Sequence, residues 1–188
     1  MIRPILKYGD SILSEPAQRV EAVTPEVERL IDDMIETMYA APGVGLAAPQ
    51  VGIPLRVFVV DLSLGRDPAS LIVMVNPEFV SREGMQLEEE GCLSVPGFNA
   101  TVVRPLRAVV SGRNRAGQEV VHEGEDLLAR AFQHEMDHLD GKRRRTEKGD
   151  PQGITYYHLP VRASLRIRRT IMSRLSPRRR SMNSLPSR

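Results

Sequence analysis

One short segment constrains this chain more than any other: residues 133–138 (QHEMDH) contain the pattern His-Glu-x-x-His inside a predicted helix. His134 and His138 are four residues apart, so they lie one turn apart on the same face of that helix. Two imidazoles at this spacing can reach one divalent metal ion, and Glu135 beside them can transfer protons. The pattern therefore predicts a metal site on this helix.

The helix that carries this pattern is expected to run from about residue 125 to residue 140, with Gly141 as its C-terminal stop. Leu127 and Ala131 continue the face of the two histidines, so we expect both imidazoles on the buried side of the helix. Buried imidazoles need hydrogen-bond partners or a metal. The alternative is a pair of hydrogen-bonded core histidines without a metal.

A third ligand is needed, because a catalytic metal site of this kind has three protein ligands and one open position. Downstream of the pattern the next histidine is His158, which lies 20 residues beyond His138. Upstream, residues 90–94 (EGCLS) offer the thiol of Cys92, and a Cys/His/His set would hold a metal with a fourth position for water. The acidic cluster at residues 88–90 is by itself typical of solvent-exposed charge.

The cysteine content indicates the compartment. Cys92 is the only cysteine in 188 residues, so no intramolecular disulfide can form, and this fits a reducing environment. The N-terminal ten residues show no secretory signal, and no apolar run approaches the roughly 20 residues of a membrane-spanning helix. With 41% hydrophobic and 27% charged residues, the composition is that of a soluble globular protein. We therefore expect a cytoplasmic protein without membrane insertion.

The remaining periodicity predicts an α+β fold. Residues 24–40 form an amphipathic helix with Thr24 as N-cap and Pro25 at its first position, and Pro42 and Gly43 end it. Strands cluster between the two helices, which favours antiparallel or mixed sheets packed around the central helix that carries the histidines. The predicted strands are 55–61, 71–75, 101–103, 108–111 and 119–122, with a hairpin turn at 114–117.

A glycine-rich segment, residues 43–50 (GVGLAAPQ), imitates a dinucleotide-binding fingerprint, and Asp61 follows at a suitable distance. A dinucleotide loop must follow a strand and open a helix, whereas this segment follows a helix. Pro49 and Pro54 leave no room for another helix. We therefore reject that interpretation and expect the glycines to permit close approach of the backbone to a ligand.

Charge divides the chain into two parts. Residues 1–141 hold 12 Lys and Arg against 22 Asp and Glu, whereas residues 142–188 hold 14 against 2. We expect a catalytic domain over 1–141 and a basic C-terminal extension over 142–188, with a basic amphipathic helix at 160–177 and disorder at 177–188. Such a tail suits a polyanion or an anionic membrane surface. The alternative is a solvated, disordered tail without a partner.

Three segments together resemble the motifs of peptide deformylase: residues 43–50, residues 90–94 and residues 133–141 (QHEMDHLDG). They occur in the order of that family and at its approximate spacing, and residues 5–10 (ILKYGD) are also similar. The resemblance covers residues 1–141. Three motifs together are far more specific than any one of them.

The resemblance implies a metal-dependent hydrolase that removes the formyl group from the N-terminal formyl-methionine of new proteins. It implies that Cys92, His134 and His138 bind one divalent metal and that Glu135 is the general base and acid. The family commonly uses Fe(II), with Zn(II), Ni(II) or Co(II) as substitutes. An Fe(II)–thiolate site is expected to be sensitive to oxygen.

The same resemblance implies the roles of four further positions. Gln50 and the backbone N–H of Leu93 would stabilise the oxyanion of the hydrolysis. Gly45 would contact the backbone of the formyl-methionyl peptide, and Val44 would border the pocket for the methionine side chain.

Two positions outside the motifs carry additional expectations. Arg104 stands where the family often has arginine, and we expect it to pair with Asp137 and fix the histidine helix against a strand. Asn99 stands where some relatives carry an arginine that contacts the substrate, so contacts beyond the methionine should differ here.

The resemblance ends after Gly141. There the family usually continues with an apolar step and an Asp-Arg pair, whereas this chain continues with residues 142–146 (KRRRT). The segment is either a lineage-specific extension or the product of an altered reading frame. In bacterial relatives the C-terminal helix is associated with ribosome docking, so the resemblance implies the ribosome as a partner of residues 142–188.

Two other functions compete with a deformylase. A zincin-type metallopeptidase would cleave internal peptide bonds and would need a third ligand other than Cys92. A catalytically silent homologue would bind RNA or the ribosome through the basic tail.

Overall fold

The computed structural model describes residues 1–142 and the backbone of residues 154–155. The helix expected at 160–177, the disorder expected at 177–188 and nearly all of the basic extension lie outside these described residues. Within them, the predicted α+β class with antiparallel sheets and two helices is confirmed.

The first helix, α1 (Pro25–Ala40), begins after Thr24 as predicted, with proline at its first position and glutamates in its first turn. It ends at Ala40 and is capped by Ala41, whose backbone N–H donates to the carbonyl of Thr37. One face of α1 is apolar and buried, and its residues are Val27, Leu30, Ile31, Met34 and Met38.

Two sheets form the rest of the fold. The strands in chain order are β1 (Gly45–Ala47), β2 (Val57–Val60), β3 (Ile72–Glu83), β4 (Gln86–Gly91), β5 (Asn99–Arg104), β6 (Arg107–Arg113), β7 (Glu119–Glu125) and β8 (Ile154–Thr155). The larger sheet has the order β1-β2-β3-β6-β7 and is antiparallel throughout. The smaller sheet has the order β4-β5-β8, and β8 pairs with β5 in parallel.

The second helix, α2 (Asp126–Leu139), carries both histidines, and its bounds confirm the predicted helix to within a residue at each end. Gly141 has a φ of +62°, and a Cβ there would lie 2.6–2.9 Å from backbone atoms of Ser14 and Glu15. The glycine that was expected to stop the helix is therefore required both for the left-handed turn and for this close approach.

The helices α1 and α2 pack on opposite faces of the larger sheet. Val57 and Val59 of β2 contact the core under α1, whereas Phe58 and Val60 contact the core under α2. All four residues of β2 are buried, because side chains that alternate across this strand meet a helix on either side. Two separate apolar cores thus hold the sheet between the helices.

Several sequence-based expectations were wrong. Strands β1 and β4 were not predicted, and β3 continues eight residues beyond its predicted end at residue 75. Leu127 was expected on the buried side of α2, but 42% of its surface is exposed. The buried face of α2 instead carries Phe132, Met136 and Leu139, because this face meets the larger sheet. Ala131 is buried in the core under α2 as expected, whereas the side of the helix with Leu127 and the histidines lies beside the smaller sheet.

Candidate metal centre and active site

Three side chains converge at one point between the two sheets. The Nε2 atoms of His134 and His138 lie 3.3 Å apart, and the thiol sulfur of Cys92 lies 3.3 Å from Nε2 of His138. All three potential ligand atoms lie within 4.8 Å of one another. Two nitrogen ligands of a tetrahedral Zn(II) site would be roughly 3.3 Å apart, given metal–nitrogen bonds of about 2.0–2.1 Å. The sulfur and nitrogen donors therefore fit a divalent metal ion.

Alternate residues of β4, continued by Cys92 directly after its end, face every fourth residue of α2. Gln86 donates from Nε2 to the carbonyl oxygen of Asp126 at 3.1 Å, and Glu88 Oε2 lies 3.6 Å from Nη1 of Arg130. The pairs Glu90–His134 and Cys92–His138 continue this pattern at 3.2 and 3.3 Å. We call this series the β4–α2 ladder. Side chains return to the same face every two residues in a strand and nearly every four residues in a helix. The ladder therefore places the thiol of Cys92 opposite the histidines.

Glu90 is buried, contrary to the expectation that the acidic cluster is solvent-exposed. Its Oε2 accepts from Nδ1 of His134 at 3.2 Å, which leaves Nε2 of that imidazole to face Cys92 and His138. Arg104 binds both oxygens of Glu90 through Nε and Nη2. Burial by itself would raise the pKa of the Glu90 carboxyl, but the hydrogen bonds with His134 and Arg104 lower it to about 2. A carboxylate thus orients the first histidine.

Arg104 also donates from Nη1 to Oδ2 of Asp137 at 2.8 Å, which confirms the predicted pair. Only 4% of the Arg104 side chain is exposed. Burial raises the pKa of Asp137, against the opposite effect of the Arg104 guanidinium. The guanidinium therefore joins two carboxylates, one on β4 and one on α2, and holds both elements beside the histidines.

Gln50 is 1% exposed, and both ends of its amide are engaged. Its Oε1 accepts from the backbone N–H of Ala47 at 2.9 Å. Its Nε2 donates to Oγ of the buried Ser94 at 3.2 Å and lies 3.8 Å from the sulfur of Cys92. Because Ala47 fixes the oxygen, the N–H₂ group is directed toward the thiol.

The segment that follows β4 is held by its backbone. Val95 N–H donates to the carbonyl of Cys92 at 2.9 Å, and Nζ of Lys7 donates to the carbonyl of Leu93 at 3.0 Å. No residue of the described part of the chain accepts a hydrogen bond from the N–H of Leu93. Together with Gln50, this N–H is a candidate donor toward a negative charge near the cluster.

The glycine segment at the start of β1 lies directly against the same site. A Cβ at Gly45 would clash with Oε1 of Glu135 and lie 3.0 Å from its Cδ. A Cβ at Gly43 would lie 2.7 Å from Cδ1 of Leu93. The carbonyl of Val44 accepts from the N–H of Asp61 at 2.9 Å, which ties this segment to the end of β2. The glycines thus allow the backbone to approach Glu135, which is 3% exposed.

A cavity of about 540 Å³ opens onto this arrangement. Its walls include seven of the eight predicted site residues, and His138 completes the ligand cluster behind them. The seven are Val44, Gly45, Gln50, Cys92, Leu93, His134 and Glu135. Asn99 lies at the same cavity, as do two half-exposed apolar side chains, Phe98 and Leu127. The structure therefore brings together every residue that the motifs singled out.

The contributions of Glu90 and Ser94 were missed by sequence reasoning. Glu90 stands two residues before Cys92, so on a strand it shares the face of the thiol, and this spacing is the signal that could have found it. For Ser94 the sequence offers no comparable signal beyond its place in the EGCLS segment.

Neither helix of the described chain has the length and the apolar composition that crossing a membrane requires.

Comparison with known proteins agrees with this geometry. A sequence model of the family described as polypeptide deformylase matches residues 2–145. The peptide deformylase of Acidobacterium capsulatum is 52% identical over 141 residues, which are 75% of this chain and 83% of that protein. The peptide deformylase of Thermodesulfovibrio yellowstonii is 51% identical over 140 residues, or 74% of this chain and 85% of that protein.

Solved structures give the same result. A peptide deformylase from Legionella pneumophila superposes with a TM-score of 0.75 at 40% identity, over 96% of this chain and all of that one. A peptide deformylase from Synechococcus elongatus, solved in complex with actinonin, superposes with a TM-score of 0.72 at 41% identity over 75% of this chain and 79% of that one. Since sequence, fold and the Cys/His/His cluster all agree, the chain belongs to the peptide deformylase family and is an enzyme of that class.

Proposed function

We propose that this enzyme hydrolyses the N-terminal formamide of formyl-methionyl nascent peptides with one divalent metal held by Cys92, His134 and His138. The observation that carries the proposal is the convergence of these three ligand atoms beside a buried glutamate, at the wall of a peptide-sized cavity. Water adds to the formyl carbon, the carbon–nitrogen bond breaks, and formate and a free N-terminal amine are released.

A divalent ion held by Cys92, His134 and His138 would supply Lewis acidity and would lower the pKa of the attacking water. The thiolate of Cys92 adds negative charge to the ligand set, so the site should be less Lewis-acidic than a three-histidine site. We assign Fe(II) as the preferred metal, with Zn(II), Ni(II) or Co(II) as substitutes. Metal analysis of protein purified without oxygen tests this assignment, and a preparation that is active with no Fe(II) bound would contradict it.

The residues around the ligands have two roles in the reaction: one transfers protons, and the others stabilise negative charge. Glu135 takes the proton of the attacking water and returns it to the leaving amine. Gln50 Nε2 and the N–H of Leu93 donate to the oxygen on which negative charge develops. Both donors are held in place before the substrate arrives. Hydrogen bonds with Ala47 and Ser94 fix the amide of Gln50. The N–H of Leu93 is fixed by the hydrogen bonds of the segment around it.

The peptide would lie in the cavity with its backbone against Gly45 and its methionine side chain beside Val44. The missing Cβ of Gly45 leaves the room that a peptide backbone needs next to Glu135. Methionine suits this cavity because many of its lining residues, including Val44, are apolar.

Formate release from formyl-Met-Ala-Ser tests the reaction. The enzyme is purified anaerobically with Fe(II) and assayed beside Glu135→Gln and a control variant, Glu28→Gln, on the outer face of α1. We expect Glu135→Gln to lose at least about 100-fold in kcat with its metal retained, since general acid–base catalysis contributes about 10²–10⁴-fold. Cleavage of internal peptide bonds would instead indicate a metallopeptidase, and metal-loaded protein without formate release would indicate a silent homologue.

We also propose that the two parts of the chain have different functions: residues 1–141 carry catalysis, and the basic residues 142–188 bind a partner. The basic segment would bind ribosomal RNA, which places the enzyme in the cytoplasm beside its nascent substrates. Replacing Arg143, Arg144 and Arg145 by glutamine should lower co-sedimentation with ribosomes and reduce its salt dependence. Unchanged co-sedimentation of this variant and of a chain that ends at residue 142 would overturn the idea.

A further inference from the structure

Arg130 stands out among the residues of the cavity wall. It lies on α2, one helical turn before His134, and only 17% of its side chain is exposed. Its neighbours on the wall are Leu127 and Ala131. Arginine is rarely buried without a partner of opposite charge and several hydrogen-bond acceptors.

The partners of Arg130 are few. Its nearest carboxylate oxygen is Oε2 of Glu88 at 3.6 Å, which is longer than a hydrogen bond, and 60% of the Glu88 side chain is exposed. The Nε of Arg130 is buried, and it has no hydrogen-bond partner among the described residues. Buried polar groups without partners are uncommon in native proteins, and an absent ligand is one of their explanations. Because Nε is itself shielded, the donors that a molecule in the cavity can reach are the Nη groups of Arg130, which make no hydrogen bond among the described residues.

The position of Arg130 matches one part of the proposed substrate. Four helical residues separate it from His134, a rise of about 6 Å along α2. Five bonds separate the formyl carbon of formyl-methionine from its sulfur, and an extended chain of that length also spans on the order of 6 Å. With the formyl group at the ligand cluster and the side chain along α2, the sulfur comes to the level of Arg130.

We propose that Arg130 is a specificity-determining residue that reads the sulfur end of the first side chain, and that it admits formyl-methionine sulfoxide as a substrate. This inference rests on the proposed function. The thioether of methionine is a weak acceptor, whereas the sulfoxide oxygen is a strong one. An apolar pocket would reject the sulfoxide because its polar oxygen would be buried without a donor. Here the guanidinium supplies that donor, and the hydrolysis is otherwise the one described above.

The test compares three peptides that differ only at the first side chain: formyl-Met-Ala-Ser, its norleucine analogue and its methionine sulfoxide analogue. Each is assayed with the metal-loaded full chain, with Arg130→Met and with Arg130→Lys. A control variant, Arg29→Met, removes an exposed arginine of α1 that does not line the cavity.

In Arg130→Met we expect kcat/KM for the sulfoxide peptide to fall about 10- to 100-fold relative to the norleucine peptide, the range of one hydrogen bond to a charged donor. This fall in kcat/KM should come mainly from a higher KM. The deformylated sulfoxide peptide is a competitive inhibitor, and its inhibition constant should rise by a similar factor in Arg130→Met. Arg130→Lys should restore part of the ratio, and Arg29→Met should leave it unchanged. Glu88→Gln, which keeps the guanidinium, should retain the ratio of the unmodified enzyme.

An equal effect of Arg130→Met on all three peptides would overturn the inference, as would a sulfoxide peptide that the unmodified enzyme rejects. Failure of the unmodified enzyme to release formate from formyl-Met-Ala-Ser would overturn the proposed function as well. The two failures are distinguishable, because the first leaves the methionine peptide a good substrate.

Discussion

Gly45 packs so closely against Glu135 that no side-chain atom fits between them. A Cβ at position 45 would clash with the carboxylate of Glu135, which packs there with 3% of its surface exposed. Gly45→Ala should therefore displace the carboxylate and lower kcat/KM about 100-fold, the typical cost of misplacing a catalytic group by about 1 Å. Metal content and kcat/KM measured together test this prediction. A variant that keeps full activity would show that the backbone moves instead of Glu135.

Tyr39 and Asp61 form a hydrogen bond that links α1 to the end of β2. The phenol donates to Oδ2 of the buried Asp61 at 2.7 Å, and burial together with this bond raises the pKa of Tyr39 to about 12. Because the folded pKa lies above the unfolded value of about 10, the stabilisation is complete below pH 10 and is lost as pH rises toward 12.

Tyr39→Phe should therefore cost about 1–2 kcal/mol at pH 7 and should flatten the loss of stability between pH 10 and 12. Urea unfolding at intervals from pH 7 to 11.5 measures both effects. Tyr8→Phe, at an exposed tyrosine, is the control. Parallel stability curves for Tyr39→Phe and the unmodified protein would exclude a role for this phenol in the alkaline transition.

Arg104 joins β4, β5 and α2 through Glu90 and Asp137. Its removal would leave the buried Glu90 and the partly buried Asp137 without the guanidinium that pairs with both, and breaking a buried ion pair typically costs about 3–5 kcal/mol. We expect this loss for Arg104→Met in urea unfolding, with a smaller loss for Arg104→Lys because lysine keeps the charge but not the two-pronged contact. Arg107→Met, which breaks exposed ion pairs on β6, should cost less than about 1 kcal/mol. Equal losses at both positions would contradict the importance of burial.

The elements differ in how well the sequence predicts them, and the reason is where their partners lie. Helices α1 and α2 and the hairpin of β6 and β7 were predicted, because their caps, apolar periodicity and turn are local signals. Strand β4 was missed because its residues 86–91 (QLEEEG) look solvent-exposed. Glu90 is buried only because Arg104 pairs with its charge and His134 hydrogen-bonds to it, and both lie more than ten residues away in the chain.

In the candidate site, too, the features that depend on local sequence were predictable and those that depend on distant partners were not. Its ligands were predictable because His134 and His138 lie on one helix and Cys92 is the only thiol, so no tertiary knowledge was needed to select them. The orientation of α2 was not predictable in the same way. Spacing placed Leu127 with the buried residues, but a sheet on one side and a cavity on the other determine which stripe of the helix is buried.

For the whole molecule, a bound metal would connect the two sheets. Cys92 follows the smaller sheet, whereas α2 packs on the larger one, so a metal at this site cross-links them. Removal of the metal by a chelator should abolish formate release and lower stability by about 3–4 kcal/mol, if the ion is otherwise present at 100–1,000 times its Kd. Calorimetry of the metal-free and reloaded protein measures this, with Cys92→Ser as the comparison. Identical transition temperatures would mean that the ion contributes nothing to the fold.

The β4–α2 ladder also decides where this protein can tolerate inserted or deleted residues. From Gln86 to Cys92 the strand advances about 20 Å in six residues, and from Asp126 to His138 the helix advances about 18 Å in twelve. One residue inserted into this part of β4 would turn the thiol to the opposite side of the strand, and one inserted into α2 would rotate a histidine by about 100°. The turn at 114–118 only has to close the chain, whereas the turn at 94–98 also holds Gln50 through Ser94 and lines the cavity. Variation in length should therefore accumulate at 114–118, while the spacing from Gln86 to Cys92 and from Asp126 to His138 stays constant.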